Sequence, residues 1–374
     1  MYRGPSGLLI ASATNTPRIE YGSGGEVLGL LMEASRTNIG LQSQTFDNAT
    51  WVKSEVTVTA NQTVSPDGTS NADQSLESAN NAPHRPTQDI TVVSGTTYTC
   101  SLWLKDIGRR YFQIALGTGG FAANAHAFFD LTSAVVVSTG AGATSSRIES
   151  YANGWFRCSV TAAATISASA TVFLNHSIDG VSTSYTGDVT KGFYLYGFQF
   201  EAGTFPSSYI PTTTVSVART ADSCIRTLST EFSATSGTVV VAGRASPGQD
   251  ATNAQTVFDF NDATGANRIA VLRTAAGDTA RYTMLNTSAQ QGPLDGTFVN
   301  STNYKAAIAF ASNDLAYSFN GAAVTTDATA TIPTITKLEL GSATVGGVQG
   351  NCHIRTFDYF PTRQPNEWLV SRAT

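Results

Sequence analysis

The sequence predicts an all-β fold built from two tandem β-sandwiches that follow a short N-terminal arm. Apolar and polar residues alternate over short runs, as in residues 97–105, where Tyr98, Cys100, Leu102 and Leu104 share one face. Clusters of Gly, Asn, Asp and Pro interrupt these runs at regular intervals, which is typical of antiparallel strands joined by turns. A helical pattern is confined to residues 365–372 near the C-terminus. These three observations favour β-sandwiches, the first of them a jelly roll.

A proline-rich connector divides the chain into its predicted domains. The chain has 374 residues, and at about 150 residues per domain this length predicts two or three units. Pro206 and Pro211 fix φ and favour extended geometry in the residue before each, so residues 204–212 are expected to form a stiff joint. We therefore predict an arm at 1–40, a jelly roll at 41–212 and a second sandwich at 213–374.

The low charge of the chain excludes some classes of partner. Charged residues make up 13% of the sequence and the net charge is −5, whereas a nucleic-acid partner would require a basic face. The one basic pair, Arg109 and Arg110, is interpreted as the flank of a hairpin. No apolar run approaches the ~18 residues of a membrane span, so we expect no membrane insertion. The four cysteines lack the spacing of a zinc site, and Cys100 and Cys158 are expected to be buried thiols.

Two parts of the sequence resemble known lectin-like domains. Residues 90–105 resemble the central strands of the family 4/9 carbohydrate-binding jelly rolls. Residues 315–321 and 357–363 resemble concanavalin-like, laminin-G-like sandwiches. The resemblance therefore implies a jelly roll followed by a concanavalin-like sandwich, and it concerns fold more than activity.

The connector and parts of the arm resemble a different class of protein. They are similar to prophage and tailed-phage virion proteins of the tail-fibre or head-spike type, or to gene-transfer-agent components, in residues 17–21, 33–38, 204–212 and 219–222. This resemblance implies host attachment at the virion surface, with receptor binding to bacterial surface or capsular polysaccharide. The apolar pieces of the arm lack enough chain to cover themselves, so we expect the arm to dock onto other virion proteins. We also expect a homo-oligomer, which would strengthen weak sugar binding.

Four side chains on the non-core faces of strands are candidates for a saccharide groove. With the apolar members of each strand facing inward, Trp103, Tyr111, Trp155 and Arg157 face outward. Flat aromatic rings suit the C–H faces of sugars, while an arginine suits their hydroxyls. The alternative is that loops, the arm or a neighbouring subunit cover these rings.

A turn in the second domain is a weak candidate for a structural calcium site. Asp259, Asn261 and Asp262 supply oxygen ligands between two predicted strands, next to Asn267 and Arg268. The alternative is ordinary turn chemistry, in which Asp and Asn side chains bind nearby backbone. We expect no other cofactor.

The sequence gives little support for catalysis. It contains no paired-acid strand pattern, its four histidines are scattered, and no Gly-x-Ser-x-Gly elbow is present. We therefore expect a binding protein and not an enzyme. Two alternatives remain: a depolymerase that cleaves the same polysaccharide with carboxylates brought together by the fold, and an architectural or decoration protein that binds no glycan.

Overall fold

The computed structural model describes residues 1–245, 247–248, 254–275, 278–343 and 349–374, leaving aside the side chains of residues 292–294. Strands account for 52% of the chain and helix for 3%, which confirms the predicted all-β class. The chain forms two compact units. Unit 1 contains residues 1–12, 23–25 and 36–219, and unit 2 contains residues 13–22, 26–35 and 220–374.

The strands of unit 1 come mostly from one continuous stretch of chain, and those of unit 2 mostly from the C-terminal part. Unit 1 contains β1 (Tyr2–Arg3) and β2 (Leu9–Ile10), and unit 2 contains β3 (Ile19–Tyr21) and β4 (Val27–Met32). Unit 1 continues with β5 (Arg36–Asn38), β6 (Val52–Ser54), β7 (Val56–Thr63), β8 (Ala72–Glu77), β9 (Asn81–Pro83), β10 (Arg85–Val92), β11 (Thr97–Ile107), β12 (Tyr111–Leu116), β13 (His126–Asp130), β14 (Val135–Thr139), β15 (Ser145–Ser150), β16 (Phe156–Ala163), β17 (Ala168–Ser177), β18 (Ser184–Thr186), β19 (Gly192–Ala202) and β20 (Val217–Arg219). Unit 2 continues with β21 (Ile225–Thr227), β22 (Ser236–Arg244), β23 (Gln255–Asn261), β24 (Arg268–Arg273), β25 (Thr279–Asn286), β26 (Ala289–Thr297), β27 (Asn303–Ala311), β28 (Asp314–Phe319), β29 (Thr325–Asp327), β30 (Lys337–Leu340) and β31 (Cys352–Phe360), followed by the helix α1 (Asn366–Ala373).

Unit 1 is a sandwich of two six-stranded antiparallel sheets. The β11 sheet has the order β15-β16-β11-β19-β8-β7, and the β12 sheet has the order β14-β13-β12-β17-β10-β6. The residues predicted to face inward do so, because Leu102, Ile114 and Val160 lie with their alternating neighbours in one buried core. The pleat of each strand therefore directs one set of side chains into the core and the other to an outer face.

The predicted connector is part of unit 1. Residues 204–212 pack along the β19 side of the unit, where Ser207 Oγ donates to Glu201 Oε2 at 2.6 Å and Ile210 N donates to Gln199 Oε1 at 2.7 Å. Thr212 Oγ1 donates to Gly40 O at 2.6 Å. The unit continues through residue 219, so the boundary predicted at residue 212 falls too early.

The predicted arm is not a separate element of the structure. Residues 1–12 and β5 belong to unit 1, while β3 and β4 belong to unit 2. In unit 2, β4 pairs with β31 and its Leu31 and Met32 are 7% and 2% exposed. The apolar pieces of the arm are thus covered by this chain's own units, which supplies the burial that so short a segment lacks alone.

Unit 2 is a second antiparallel sandwich. Its six-stranded sheet has the order β21-β30-β23-β24-β25-β26, and its seven-stranded sheet has the order β29-β28-β27-β22-β31-β4-β3. The core between them contains Phe258, Ile269 and Ile308. Helix α1 covers the outer side of β22 and β27, where Leu369 packs with Val240 and Ala307.

Among the described residues, no helix has the length and apolar character needed to cross a membrane.

The four cysteines are free thiols, and Cys100, Cys158 and Cys352 are buried. Burial raises the pKa of Cys352 to about 12, so this thiol is neutral at physiological pH.

Candidate functional site

The aromatic groove predicted from the sequence is covered in the structure. Trp103 and Trp155 do face away from the core, yet both are 0% exposed, and Arg157 is 6% exposed. Leu9 from the N-terminal segment and Tyr209 from residues 204–212 pack against them. The predicted strand phase was therefore right, but the prediction of an open groove on these residues was wrong, because distant segments of the same unit lie over this face.

Several polar groups of this buried cluster bind within the protein, although Trp103 Nε1 and Arg157 Nε are buried without a hydrogen-bond partner among the described residues. Arg157 Nη2 donates to Ser101 Oγ at 3.1 Å and to Ser207 O at 2.8 Å. Its guanidinium lies 4.4 Å from the centroid of the Trp103 ring, and Trp155 Nε1 donates to Val64 O at 3.1 Å. These contacts stabilise the covering segments, and they leave no surface for a sugar.

A β-bulge explains how Trp103 fits beneath its cover. The register of β11 with β19 shifts between Ser101 and Trp103, and Gly197 in β19 has φ of +68°. A Cβ atom at Gly197 would lie 2.7 Å from Trp103 Cε3, so glycine both permits the backbone conformation and makes room for the indole.

Tyr111, the fourth predicted site residue, lies on the opposite side of unit 1. It belongs to β12, whose outer face points away from that of β11. Its side chain is partly exposed, and the guanidinium of Arg110 lies 5.0 Å from its ring centroid. The four predicted residues therefore do not form one site. Tyr111 lies on the outer face of the β12 sheet, where other polar and aromatic side chains surround it.

The outer face of the β12 sheet combines amides, a guanidinium and aromatic rings. Gln113 pairs in register with Asn175 on one side and with Phe128 on the other, and Asn175 lies next to Arg85. We call this surface the Arg85 face, and its outward side chains are Arg85, Thr87, Asp89, Tyr111, Gln113, Ala115, His126, Phe128, Asp130, Thr171, Phe173, Asn175 and Ser177. Arg85, Tyr111 and Phe173 are partly exposed, so this face is accessible to a ligand.

Three polar side chains form a hydrogen-bonded row across the Arg85 face. Asn175 Nδ2 donates to Gln113 Oε1 at 2.7 Å, and Arg85 Nη1 donates to Asn175 Oδ1 at 3.3 Å. Gln113 and Asn175 are 8% and 3% exposed, so the row lies at the floor of the face. The mutual hydrogen bonds hold the amides in one orientation, which is the preorganisation that a polar binding site requires.

Arg85 differs electrostatically from the two arginines that precede β12. Arg109 binds Glu77 with two hydrogen bonds of 2.7 and 2.5 Å, and Arg110 binds Asp130 with two of 2.8 and 2.5 Å. Arg85 forms no ion pair with any carboxylate in the described part of the chain, and its buried Nε has no hydrogen-bond partner. Burial lowers the pKa of Arg85 from its usual value, and no nearby acid offsets that effect.

A cavity of about 680 Å³ adjoins the Arg85 face at the edge of β10. In the described part of the chain, β6 pairs with β10 only over residues 85–87, which leaves the following residues of β10 at an open edge. Thr87 and Val52 line the cavity, and Thr87 is also part of the Arg85 face. The rest of the lining mixes polar and apolar side chains, namely Thr50, Gln88, Asp89, Thr91, Thr214 and Ser216 with Ile39, Leu41, Ile90 and Val215.

Sequence reasoning missed Arg85, Phe173 and Asn175, although a signal for two of them was present. Val172 and Leu174 are core residues, so the same alternation that phased β12 places Phe173 and Asn175 outward. Arg85 precedes Pro86, and its side chain gave no sign that the strand begins before Gln88. Whether Arg85 has an acidic partner depends on the fold of the whole unit, so the neighbouring sequence cannot predict it.

A second polar cluster of unit 1 is enclosed. Glu77 accepts hydrogen bonds from Arg109 and from Tyr185 Oη at 2.6 Å, and it lies 3.5 Å from His176 Nδ1. Burial alone would raise the pKa of Glu77, but its contacts with His176, Arg109 and Tyr185 outweigh it and hold the pKa well below its usual range. Glu77 and His176 are 3% and 0% exposed, so the cluster connects strands and offers no ligand site.

The oxygen atoms of the predicted calcium candidates are engaged in turn and strand contacts. Asp259 binds Arg268 at 2.7 Å, Asn261 Oδ1 accepts from Ala263 N at 2.9 Å, and Asp262 accepts from Thr264. Among the described residues, no group of three or more His, Cys, Asp or Glu side chains is placed to hold a metal ion. The contacts fit the alternative of turn chemistry, and calcium binding stays a prediction.

Comparisons with known proteins give partial likenesses. No protein-family model matches the chain, and no curated protein matches it. The solved structures that it resembles include the CBM40 domain of the Ruminococcus gnavus IT-sialidase bound to alpha2,3 sialyllactose, with 17% identity, a TM-score of 0.32, and 38% of this chain and 84% of that chain covered. Chicken galectin 2 has 10% identity, a TM-score of 0.25 and coverage of 33% and 89%. Domains LG4-5 of the mouse laminin alpha1 chain have 8% identity, a TM-score of 0.28 and coverage of 93% of both chains.

Proposed function

We propose that this protein is a virion-surface adhesin that binds bacterial surface or capsular polysaccharide through the Arg85 face of unit 1. The observation that carries the proposal is the hydrogen-bonded row of Arg85, Asn175 and Gln113 on an accessible sheet face, flanked by the partly exposed rings of Tyr111 and Phe173. Sugar recognition uses a few fixed polar groups together with apolar surface, and this face presents both.

The chemistry of the face suits a chain of sugar residues. The guanidinium and the two amides can donate to and accept from ring hydroxyls, while the partly exposed edges of Tyr111 and Phe173 offer apolar contact to C–H groups. The adjoining cavity presents the hydroxyls of Thr87 and Thr91. A polysaccharide would thus bind along the Arg85 face, and further sugar residues of the same chain would occupy the cavity.

The sequence resemblance supports the virion part of the proposal. The residues that carry it have structural roles: Arg18 binds Glu33 at 2.7 Å and also Asp222 in unit 2, and Arg36 pairs with Arg219 between β5 and β20 in unit 1. Docking onto other virion proteins is proposed for the exposed residues 13–17 of the arm. Homo-oligomerisation on the particle would increase avidity.

A direct test compares polysaccharide binding of the wild type with that of variants on the polar row. Gln113→Ala and Asn175→Ala are each expected to weaken binding to purified host capsule at least 10-fold. Each variant removes an amide that hydrogen-bonds a sugar hydroxyl and leaves that hydroxyl without its partner in the complex. Gln62→Ala is the matched control, because Gln62 is exposed on β7 of the other sheet. Wild-type binding that neither row variant reduces, with melting temperatures unchanged, would overturn the proposal.

A polysaccharide depolymerase is the second candidate, and one observation favours it. Asp259 and Glu339 are cross-strand neighbours on β23 and β30, and burial raises the pKa of Asp259 to about 6. A glycosidase uses a pair of carboxyl groups that flank the scissile glycosidic bond. Both are nearly fully buried and each binds a cation, Arg268 or Lys337, so binding without cleavage is the preferred function. New reducing ends after incubation with capsule, absent with Asp259→Asn, would reverse that preference.

Adsorption separates the adhesin from an architectural protein. Particles assembled without this chain are expected to be intact but to lose adsorption to the host. Failure of assembly, with normal adsorption of the particles that do form, would favour the architectural function.

A further inference from the structure

Arg85 carries a positive charge for which the described part of the protein provides no anion. The arginines next to the same sheet each bind a carboxylate in bidentate fashion, Arg109 to Glu77 and Arg110 to Asp130. Arg85 instead has one hydrogen bond, to Asn175 Oδ1 at 3.3 Å, and its Nε is buried without a partner. A partly buried cation in this state is costly unless something compensates it.

The surroundings of Arg85 fix its position without neutralising it. The guanidinium carbon lies 4.5 Å from the centroid of the Phe173 ring, which is a cation–π distance. Such stacking holds the guanidinium flat, so that its remaining N–H groups point along the plane of the group. A planar fork of donors held in this way matches the two oxygens of a carboxylate.

The other titratable groups of the face do not supply the missing anion. Asp130 is bound by Arg110, and Asp89 accepts a hydrogen bond from Thr171 Oγ1 at 2.5 Å. Burial lowers the pKa of His126, so this ring is neutral at pH 7. Among these groups, Arg85 is therefore the cation without an ion pair, and Asp89 is a separate, exposed carboxylate whose hydrogen bond is to a neutral hydroxyl.

We infer that the polysaccharide bound on the Arg85 face is acidic and that Arg85 binds the carboxylate of one of its sugar residues, as in a uronic acid. This inference rests on the proposed function and specifies its ligand class. The amides of Asn175 and Gln113 then bind hydroxyls of the same or the next sugar residue. Arg85 selects polymers that carry a negative charge.

The test uses bacterial capsular polysaccharides in two chemical forms, native and with their carboxyl groups reduced to alcohols. The full-length wild type is expected to bind native acidic polymers and to lose about 10- to 100-fold in affinity for their reduced forms, the range for a hydrogen bond to a charged group. Arg85→Gln is expected to lose the same factor for native polymers and to bind the reduced forms as the wild type does. Arg85→Lys keeps the charge but not the fork, and we expect an intermediate loss.

The variants separate the inference from the function on which it rests. Equal binding of native and reduced polymers by the wild type, or an unchanged affinity of Arg85→Gln for native polymers, would overturn the acidic-ligand inference. If Asn175→Ala and Gln113→Ala still weaken binding in that case, the face remains the binding site. If those two variants also bind normally, or no polymer is bound at all, the proposed function fails as well. Melting temperatures of all variants confirm that each is folded.

Discussion

The guanidinium of Arg85 lies 4.5 Å from the ring centroid of Phe173, and it forms no ion pair with any carboxylate among the described residues. A partly buried charge without a counter-ion lowers the stability of the free protein, because its desolvation is not offset. Binding sites often retain such groups at the expense of stability. The relationship between these two residues therefore gives predictions for stability and for binding that have opposite directions.

Arg85→Met is expected to keep or raise the melting temperature of unit 1 while it weakens polysaccharide binding. Methionine fills much of the same space against Phe173 and removes the desolvated charge. Thermal unfolding and an affinity measurement on the same sample check both parts. Arg109→Met is the control, since it removes the guanidinium that pairs with the buried Glu77 carboxylate and should lower the melting temperature. A similar loss of stability in both variants would mean that Arg85 is a structural residue.

Trp103→Ala is expected to destabilise unit 1 by about 3–5 kcal/mol, the usual range for removal of a buried large aromatic side chain. Trp103 is 0% exposed beneath the N-terminal segment and residues 204–212. Tyr111→Ala, on a partly exposed ring, is the comparison and should cost much less stability. Chemical denaturation measures both. A Trp103→Ala protein that melts like the wild type but has lost glycan binding would restore the groove predicted from the sequence.

Glu77→Gln is expected to destabilise the protein by about 3–5 kcal/mol at pH 7, since it breaks a buried ion pair. Contacts with His176, Arg109 and Tyr185 outweigh burial and lower the pKa of Glu77 below its unfolded value. Its contribution is therefore present above the unfolded pKa and is lost as pH falls toward the folded one. The difference in unfolding free energy between wild type and variant should shrink as pH decreases from 7 to 2.5. A difference that is independent of pH would contradict this assignment.

Asp259→Asn should show a pH dependence of the opposite sign. Burial raises the pKa of Asp259 to about 6 from 3.8, despite the charge of Arg268. The folded state then holds a proton that the unfolded state has released, so the wild type loses stability as pH rises between these values, by about 3 kcal/mol in total. The stability of the wild type relative to the variant should fall between pH 4 and 6. A rise over that interval would show that the Arg268 charge dominates over burial.

Removal of calcium by a chelator is expected to leave the melting temperature of unit 2 unchanged. The oxygens of Asp259 and Asp262 are bound by Arg268 and Thr264. A fall in melting temperature on addition of EDTA, reversed by calcium, would show that the turn binds the ion.

Strand phase could be predicted from the sequence, whereas the exposure of the outward side chains could not. Alternation depends on the pleat alone, so Leu102 and Ile114 were placed in the core correctly. Whether Trp103 is covered depends on contacts between remote parts of the chain, such as the backbone pairing of Met1 with Tyr209. Such contacts leave no trace in a local pattern.

The candidate site shows the same division between local and remote information. Tyr111 was correctly placed on an outer face, and the alternation around Leu174 also places Asn175 there. The absence of an anion near Arg85 required the whole unit. Pro206 and Pro211 predict extended backbone, but such a segment can pack against its own unit as readily as it can form a linker, and residues 204–212 pack against unit 1.

A crystal structure of the protein with an oligosaccharide of the host capsule would show directly whether the Arg85 face binds sugar. We expect the sugar to lie on the outer face of the β12 sheet, with hydroxyls at Asn175 and Gln113 and a carboxylate within hydrogen-bond distance of the Arg85 guanidinium. Sugar bound to unit 2, or between the separated covering segments and Trp103, with the Arg85 face empty, would contradict it.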